Sequence, residues 1–171
     1  MENPLYTSLN VQTNQIRIIE LLPGRWNDTI NCSMRTVSLD EKPGYEALSY
    51  VWGDPKATVP ITVNGIIVHA TINLVAALRR VRSSVASRTM WVDAISINQK
   101  DLDEKTQQIL IMGKIYELAS SVLVFLGESG ILDQVPAEEQ KEWSDPPKSE
   151  WQFRGSWLVQ AEVPSSRAGV R

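Results

Sequence analysis

RTMWVDAISINQKDLDEKTQQILIMGKIYELASSVLVFLG, residues 88–127, is the most densely patterned stretch of the chain. Thr89 to Ile95 is rich in β-branched and aromatic side chains, which reads as a strand. Ile109, Met112, Ile115, Tyr116 and Ala119 recur at the three- and four-residue spacings of one helical face, and Ser121 to Leu126 is a short apolar run. Strand, polar loop, amphipathic helix and strand together make a βαβ unit, because parallel strands cannot be joined by a tight turn and need a crossover. The polar loop, Ser96 to Asp103, then falls at the end of a strand, where open α/β sheets gather their ligands.

Upstream, Ile16 to Leu22 (IRIIELL) reads as a strand ended by Pro23-Gly24, and Ile30 to Leu39 as its antiparallel return. Tyr45 to Trp52 (YEALSYVW) carries apolar bulk on both faces of its alternation, which marks a central strand, and Gly53-Asp54-Pro55 stops it. Asn64-Gly65 between two apolar runs signals a two-residue hairpin. Asn73 is placed to cap a helix whose inner face is Leu74, Ala77, Leu78 and Val81. The expected fold class is α/β: a mostly parallel, helix-flanked sheet with an N-terminal antiparallel ribbon and a hairpin insertion. Residues 1–15 read as an irregular arm, 16–127 as the domain, and 128–171 as an acidic, proline-containing tail that regains apolar residues at 151–163.

The net charge of −3 is unevenly placed. Acidic and basic side chains balance in residues 1–127, so the whole excess belongs to 128–171. There is no basic stripe, which argues against a nucleic-acid partner. Arg79, Arg80 and Arg82 cluster, but on an expected helix end, where cations complement the macrodipole. Cys32 is the only cysteine and His69 the only histidine. An internal disulfide and a Cys/His metal centre are thereby excluded, and a reducing, cytoplasmic setting is expected. No secretory signal is visible, and no apolar run approaches the ~20 residues of a membrane span.

The carboxyl-end rule selects Trp52, Gly53 and Asp54 after one strand, and Asp93 with Asn98 and Gln99 after another. Glu104, in the first turn of the helix after the loop, is the candidate catalytic carboxylate, suited to a ribose or to a role as base. A structural role stands beside it, since acidic residues such as Asp101, Asp103 and Glu104 favour helix N-termini. Asp93, Asn98 and Gln99 suit ligand contact or loop organisation equally, and Gln108 could point back toward the loop. Trp52 and Trp91 read as core, and Gly53 as a backbone requirement.

Three blocks carry a family resemblance: YEALSYVWGDP at 45–55, VNG and NL at 63–65 and 73–74, and TMWVDAISINQKDLDEKTQQILIMGKIYELASSVLVFLG at 89–127. In this order they resemble the heterokaryon-incompatibility (HET) domain of filamentous fungi, and IRIIELLPG is similar to the usual approach to that domain. The resemblance implies a module of fungal non-self recognition that triggers programmed cell death when incompatible hyphae fuse. It also implies a remote likeness to TIR domains, which are flavodoxin-like, signal by self-association or with a partner signalling domain, and in some members cleave NAD. On that likeness NAD would be a substrate and Glu104 the key carboxylate, with no other cofactor implied. Two departures stand out. Ser96 replaces the usual cysteine of the D-A-x-C-I-N-Q block, and Ala161 separates Gln160 from Glu162 in a degenerate late block at 151–163, so an incomplete domain is expected.

Overall fold

The computed structural model describes residues 5–127, together with 151–153 and 158–162 as backbone strands. In chain order they form β1 (Gln15–Leu21), β2 (Asn31–Ser38), β3 (Glu46–Tyr50), β4 (Thr58–Val63), β5 (Ile66–Thr71), α1 (Ile72–Val81), β6 (Arg88–Trp91), α2 (Asp93–Ser96), α3 (Leu102–Leu110), α4 (Met112–Leu118), β7 (Ser121–Phe125), β8 (Trp151–Phe153) and β9 (Leu158–Glu162). The acidic stretch 128–150 lies outside the described residues.

All nine strands join one sheet in the order β5-β4-β2-β1-β6-β3-β7-β9-β8. The βαβ reading of 88–127 holds: β6 and β7 both run parallel to β3, which sits between them as the central strand. The expectation of a mostly parallel sheet does not. Only β2/β4, β3/β6 and β3/β7 are parallel, and the other five neighbouring pairs are antiparallel. The reason is connectivity. Parallel pairing needs a helical crossover, which the chain supplies before β6 and before β7, whereas β1/β2 and β4/β5 are joined by turns that only hairpins allow. β1 then pairs antiparallel to β6, with Ile19 opposite Met90, and welds the N-terminal ribbon onto the parallel trio.

The hairpin is as its sequence suggests. Val63 pairs with Ile66 across Asn64-Gly65, and both turn residues have positive φ (50° and 78°), the geometry of a type I′ turn. Asn64 also accepts from the Met34 N–H (2.8 Å) and donates to its carbonyl (3.1 Å), hooking the turn to β2.

Alternation along the strands divides the core between the two faces of the sheet. On one face α1 lays Leu74, Val75, Ala77, Leu78 and Val81 over Ile19, Leu21, Leu48, Met90 and Leu123. On the other, Ile115 of α4 and Ala119 cover Ile16, Ile18, Tyr45, Ala47 and Trp91. Trp91 is fully buried and meets Tyr116 edge to face, with centroids 5.6 Å apart. At the amino ends of the parallel trio, Arg88 grips Glu46 through Nε and Nη2 (both 2.7 Å), and Ser121 donates to the same carboxylate (3.1 Å).

Three local expectations need correction. The strand ends at Trp91 rather than Ile95, and the next residues form the single turn α2, with Ile95 and Ser96 buried. The cap of α1 is Thr71, whose Oγ1 accepts from the Leu74 N–H (3.3 Å), while Asn73 lies inside the first turn. The long helix is broken at Ile111 (φ −99°, ψ 3°), which turns Ile109 out to solvent and buries Gln108 instead. The arginine cluster does sit at the end of α1. There Arg82 caps the helix and donates to the carbonyls of Arg25, Trp26, Asp28 and Thr29, and Arg80 stacks over Trp26. Among the described residues no helix is long and apolar enough to cross a membrane.

Candidate functional site

The parallel trio β6-β3-β7 presents its three carboxyl ends on one edge, so the chain leaving β3 meets the chain leaving β6. Trp52 and Asp93, 41 residues apart, are joined there by a 2.9 Å hydrogen bond from the indole N–H to Oδ2. Asp93 Oδ1 accepts from the Ala94 N–H (2.7 Å), and no cation pairs with this carboxylate among the described residues. Burial therefore dominates and raises the Asp93 pKa despite the two hydrogen bonds. Trp52 is 41% exposed and forms part of this edge, which corrects its assignment to the core.

The loop after Trp52 is shaped by its neighbours. Gly53 has φ +74°, and a Cβ there would stand 2.8 Å from Asn73 Nδ2, so both the backbone angle and the space demand glycine. Asn73 donates to the Val51 carbonyl (3.1 Å), and the Asp54 side chain accepts from the Lys56 N–H (2.9 Å), closing a turn. Behind them lie two phenols. Tyr116 donates to the Leu48 carbonyl (3.2 Å), and burial, reinforced by Asp93, pushes its pKa up to about 12. The Tyr50 hydroxyl is buried with no hydrogen-bond partner, and burial, with added repulsion from Asp93, pushes its pKa up as well.

Glu104 belongs to a different cluster. It forms a two-point ion pair with Arg17, Oε1 to Nη1 at 2.6 Å and Oε2 to Nη2 at 2.9 Å, and Oε1 also accepts from the Asn98 N–H (2.7 Å). Arg17 is 2% exposed and Glu104 10%. The same guanidinium donates to the Ser96 carbonyl (3.1 Å) and to that of Thr7, and the Tyr6 ring lies over it at 4.9 Å. Tyr6 in turn donates to the Ile95 carbonyl (3.0 Å). Tyr6 and Thr7, within the stretch expected as an irregular arm, are thus fastened to the domain through Arg17 and the Ile95 carbonyl, with Leu5 buried beside them.

The remaining loop residues organise backbone. Asn98 accepts from the Lys100 N–H (3.3 Å), Gln99 donates to the Asp93 carbonyl (3.0 Å), and Asp101 caps α3 by accepting from Asp103 and Glu104. Gln108 reaches the Gln15 carbonyl of β1 (3.0 Å) rather than the loop. Ser96, where this chain departs from the HET block, is fully buried, and its hydroxyl accepts from the Val92 N–H (3.2 Å).

The structure thus brings Trp52, Gly53 and Asp93 to one edge and gathers Asn98 and Glu104 around Arg17. Sequence reading passed over Tyr50, Tyr6 and Arg17, and gave Asn73 a capping role in place of its contact with the loop after β3. For Arg17 a signal existed: it shares an alternation face with Ile19 and Leu21, so the only cation of that strand points inward.

Among known proteins, residues 45–167 match the family model described as Heterokaryon incompatibility protein (HET). Over 134 residues the chain is 34% identical to the heterokaryon incompatibility protein 6, OR allele, of Neurospora crassa, a match covering 70% of this chain and 20% of that protein. The chain therefore spans about a fifth of the length of this relative. No solved structure matches.

Proposed function

Because this chain belongs to the heterokaryon incompatibility (HET) family, we propose that it is an intracellular effector module of fungal non-self recognition, whose output is programmed cell death and which acts by association with itself or with a partner domain. The observation that favours association over catalysis is the state of Glu104. A general base must be within hydrogen-bond reach of its substrate, and the Glu104 side chain is only 10% exposed. Both Glu104 oxygens are held by Arg17, and one of them also by a backbone N–H. The residue acts as the post around which the loop and the N-terminal arm are tied. Asn98, Gln99, Asp54 and Gln108 serve the same organising role, while Trp52, Asp93 and the unpartnered Tyr50 hydroxyl make the edge where a small ligand would be read.

Forced expression of the chain in hyphae, scored by uptake of a vital dye, tests the output; abundant folded protein without dye uptake would overturn it. Glu104→Gln tests the site. Removing one partner of a buried ion pair leaves the other uncompensated and costs about 3 kcal/mol. The unfolding midpoint is then expected to fall by roughly 10 °C, and wild type to leave NAD intact. If wild type consumes NAD and Glu104→Gln abolishes this at an unchanged midpoint, the catalytic assignment replaces ours.

A further inference from the structure

Two polar groups at the carboxyl edge of the parallel trio are left unmatched. An ionised carboxylate offers about four lone-pair sites, and at Asp93 the Trp52 indole (2.9 Å) and the Ala94 N–H (2.7 Å) take one each. Both donors are neutral, and no cation faces the group among the described residues. Beside it stands the Tyr50 hydroxyl, buried without a hydrogen-bond partner and close enough for the Asp93 charge to oppose its ionisation. An unpaired buried charge and an unpaired buried hydroxyl are each costly to fold around. Here they are neighbours, on an edge open to solvent: Val51 is 61% exposed, Trp52 41%, and Asp93 only partly buried.

What is missing defines what would fill it. An anion is repelled by Asp93, and an apolar group answers neither need. A hard metal ion wants on the order of six oxygen ligands, and no group of three or more metal-binding side chains stands among the described residues. A cation that carries its own N–H donors answers both needs at once. It brings the absent charge, donates to the free lone pairs of Asp93 and to the Tyr50 oxygen, and lays an aliphatic stem along the part-exposed indole. We propose that the edge formed by Tyr50, Trp52 and Asp93 binds an organic cation: a primary ammonium group on an aliphatic stem, carried by a small amine or by a lysine side chain of a partner. The inference rests on the reading of this edge as a ligand site and gives the ligand its chemical class. It also explains why a carboxylate is kept where its charge opposes folding, since binding sites commonly retain groups that stability alone would remove.

Thermal unfolding of the full chain at neutral pH in n-butylamine, against sodium chloride of equal ionic strength, tests this. The amine should raise the wild-type midpoint and level off as the site fills, and the Trp52 indole N–H should shift along the same curve in a ¹H–¹⁵N spectrum. Asp93→Asn should weaken binding at least about tenfold. Tyr50→Phe removes a hydroxyl that has no partner in the protein, so it should fold as wild type does and bind the amine about threefold to tenfold more weakly. A capped Gly-Lys-Gly peptide separates the two sources: binding tighter than that of n-butylamine assigns the site to a lysine side chain, and weaker binding to a free amine. An equal response to n-butanol would overturn the cationic class and leave the edge a ligand site. A response that survives Asp93→Asn would place the amine elsewhere and overturn the proposal. So would an asparagine form that melts clearly below wild type without amine, because the chain would then supply the cation itself. If none of these probes moves either signal, the ligand-site reading falls too, while the cell-death output is judged separately by dye uptake.

Discussion

At the scale of single residues, this domain places its two central carboxylates in opposite situations. Glu104 is matched by a buried arginine, whereas Asp93 has only neutral donors. Since the folded Asp93 pKa is raised, its carboxyl contributes stability that is complete below the ordinary carboxylate range and is lost as pH rises through the folded value. At neutral pH its charge therefore works against folding. Asp93→Asn is expected to melt at least as high as wild type at neutral pH, with the gap closing as the solution is acidified. Melting curves over that range decide it, and a clearly lower neutral melting point for the asparagine form would mean that the charge has a partner. Such a distinction is hidden from the sequence, where Asp93 and Glu104 both look like acids beside a polar loop. Ser96 shows what can be read: a small polar residue where the family block has a small thiol fits a buried turn whose hydroxyl takes the Val92 N–H.

At the scale of elements, the loop after β3 is set by a close approach between two segments. Gly53 lies against Asn73, and Asn73 ties α1 to the Val51 carbonyl. Gly53→Ala must both hold a left-handed φ and push Asn73 away, at a cost on the order of 1–3 kcal/mol. It should also release the Trp52 indole, which a shift of that N–H in a ¹H–¹⁵N spectrum would report; an unmoved indole resonance would show that the loop holds Trp52 without Gly53. The break at Ile111 is the element that sequence could not announce. No proline marks it, and the nearest glycine, Gly113, lies two residues beyond it inside α4. It follows from a conflict between two anchors, because Glu104 and Gln108 set the rotation of α3 while Ile115 sets that of α4.

At the scale of the whole molecule, the family match begins at residue 45, but the sheet does not. β1 stands between β2 and β6 and carries Arg17, so without it the parallel trio has no closed flank and Glu104 loses its arginine. A chain cut to residues 45–171 is therefore expected to lose cooperative thermal unfolding and to expose a sticky strand edge along β6. Cooperative melting of that shortened chain by circular dichroism would refute this view of β1. Sequence by itself determined the elements with strong local periods: the ribbon, the Asn64-Gly65 hairpin, the central character of the strand at 46–50 and the βαβ unit that runs β6 and β7 in the same direction. These depend on contacts between near neighbours, which alternation, helical spacing and turn chemistry encode directly. The tertiary structure alone decided the mixed character of the sheet, the meeting of Trp52 with Asp93, the bond of Arg17 to Glu104 across 87 residues and the outward face of α3. Each of these depends on which distant segment a side chain meets, and that partner is chosen by how the strands assemble and by the need of every buried polar group for a match.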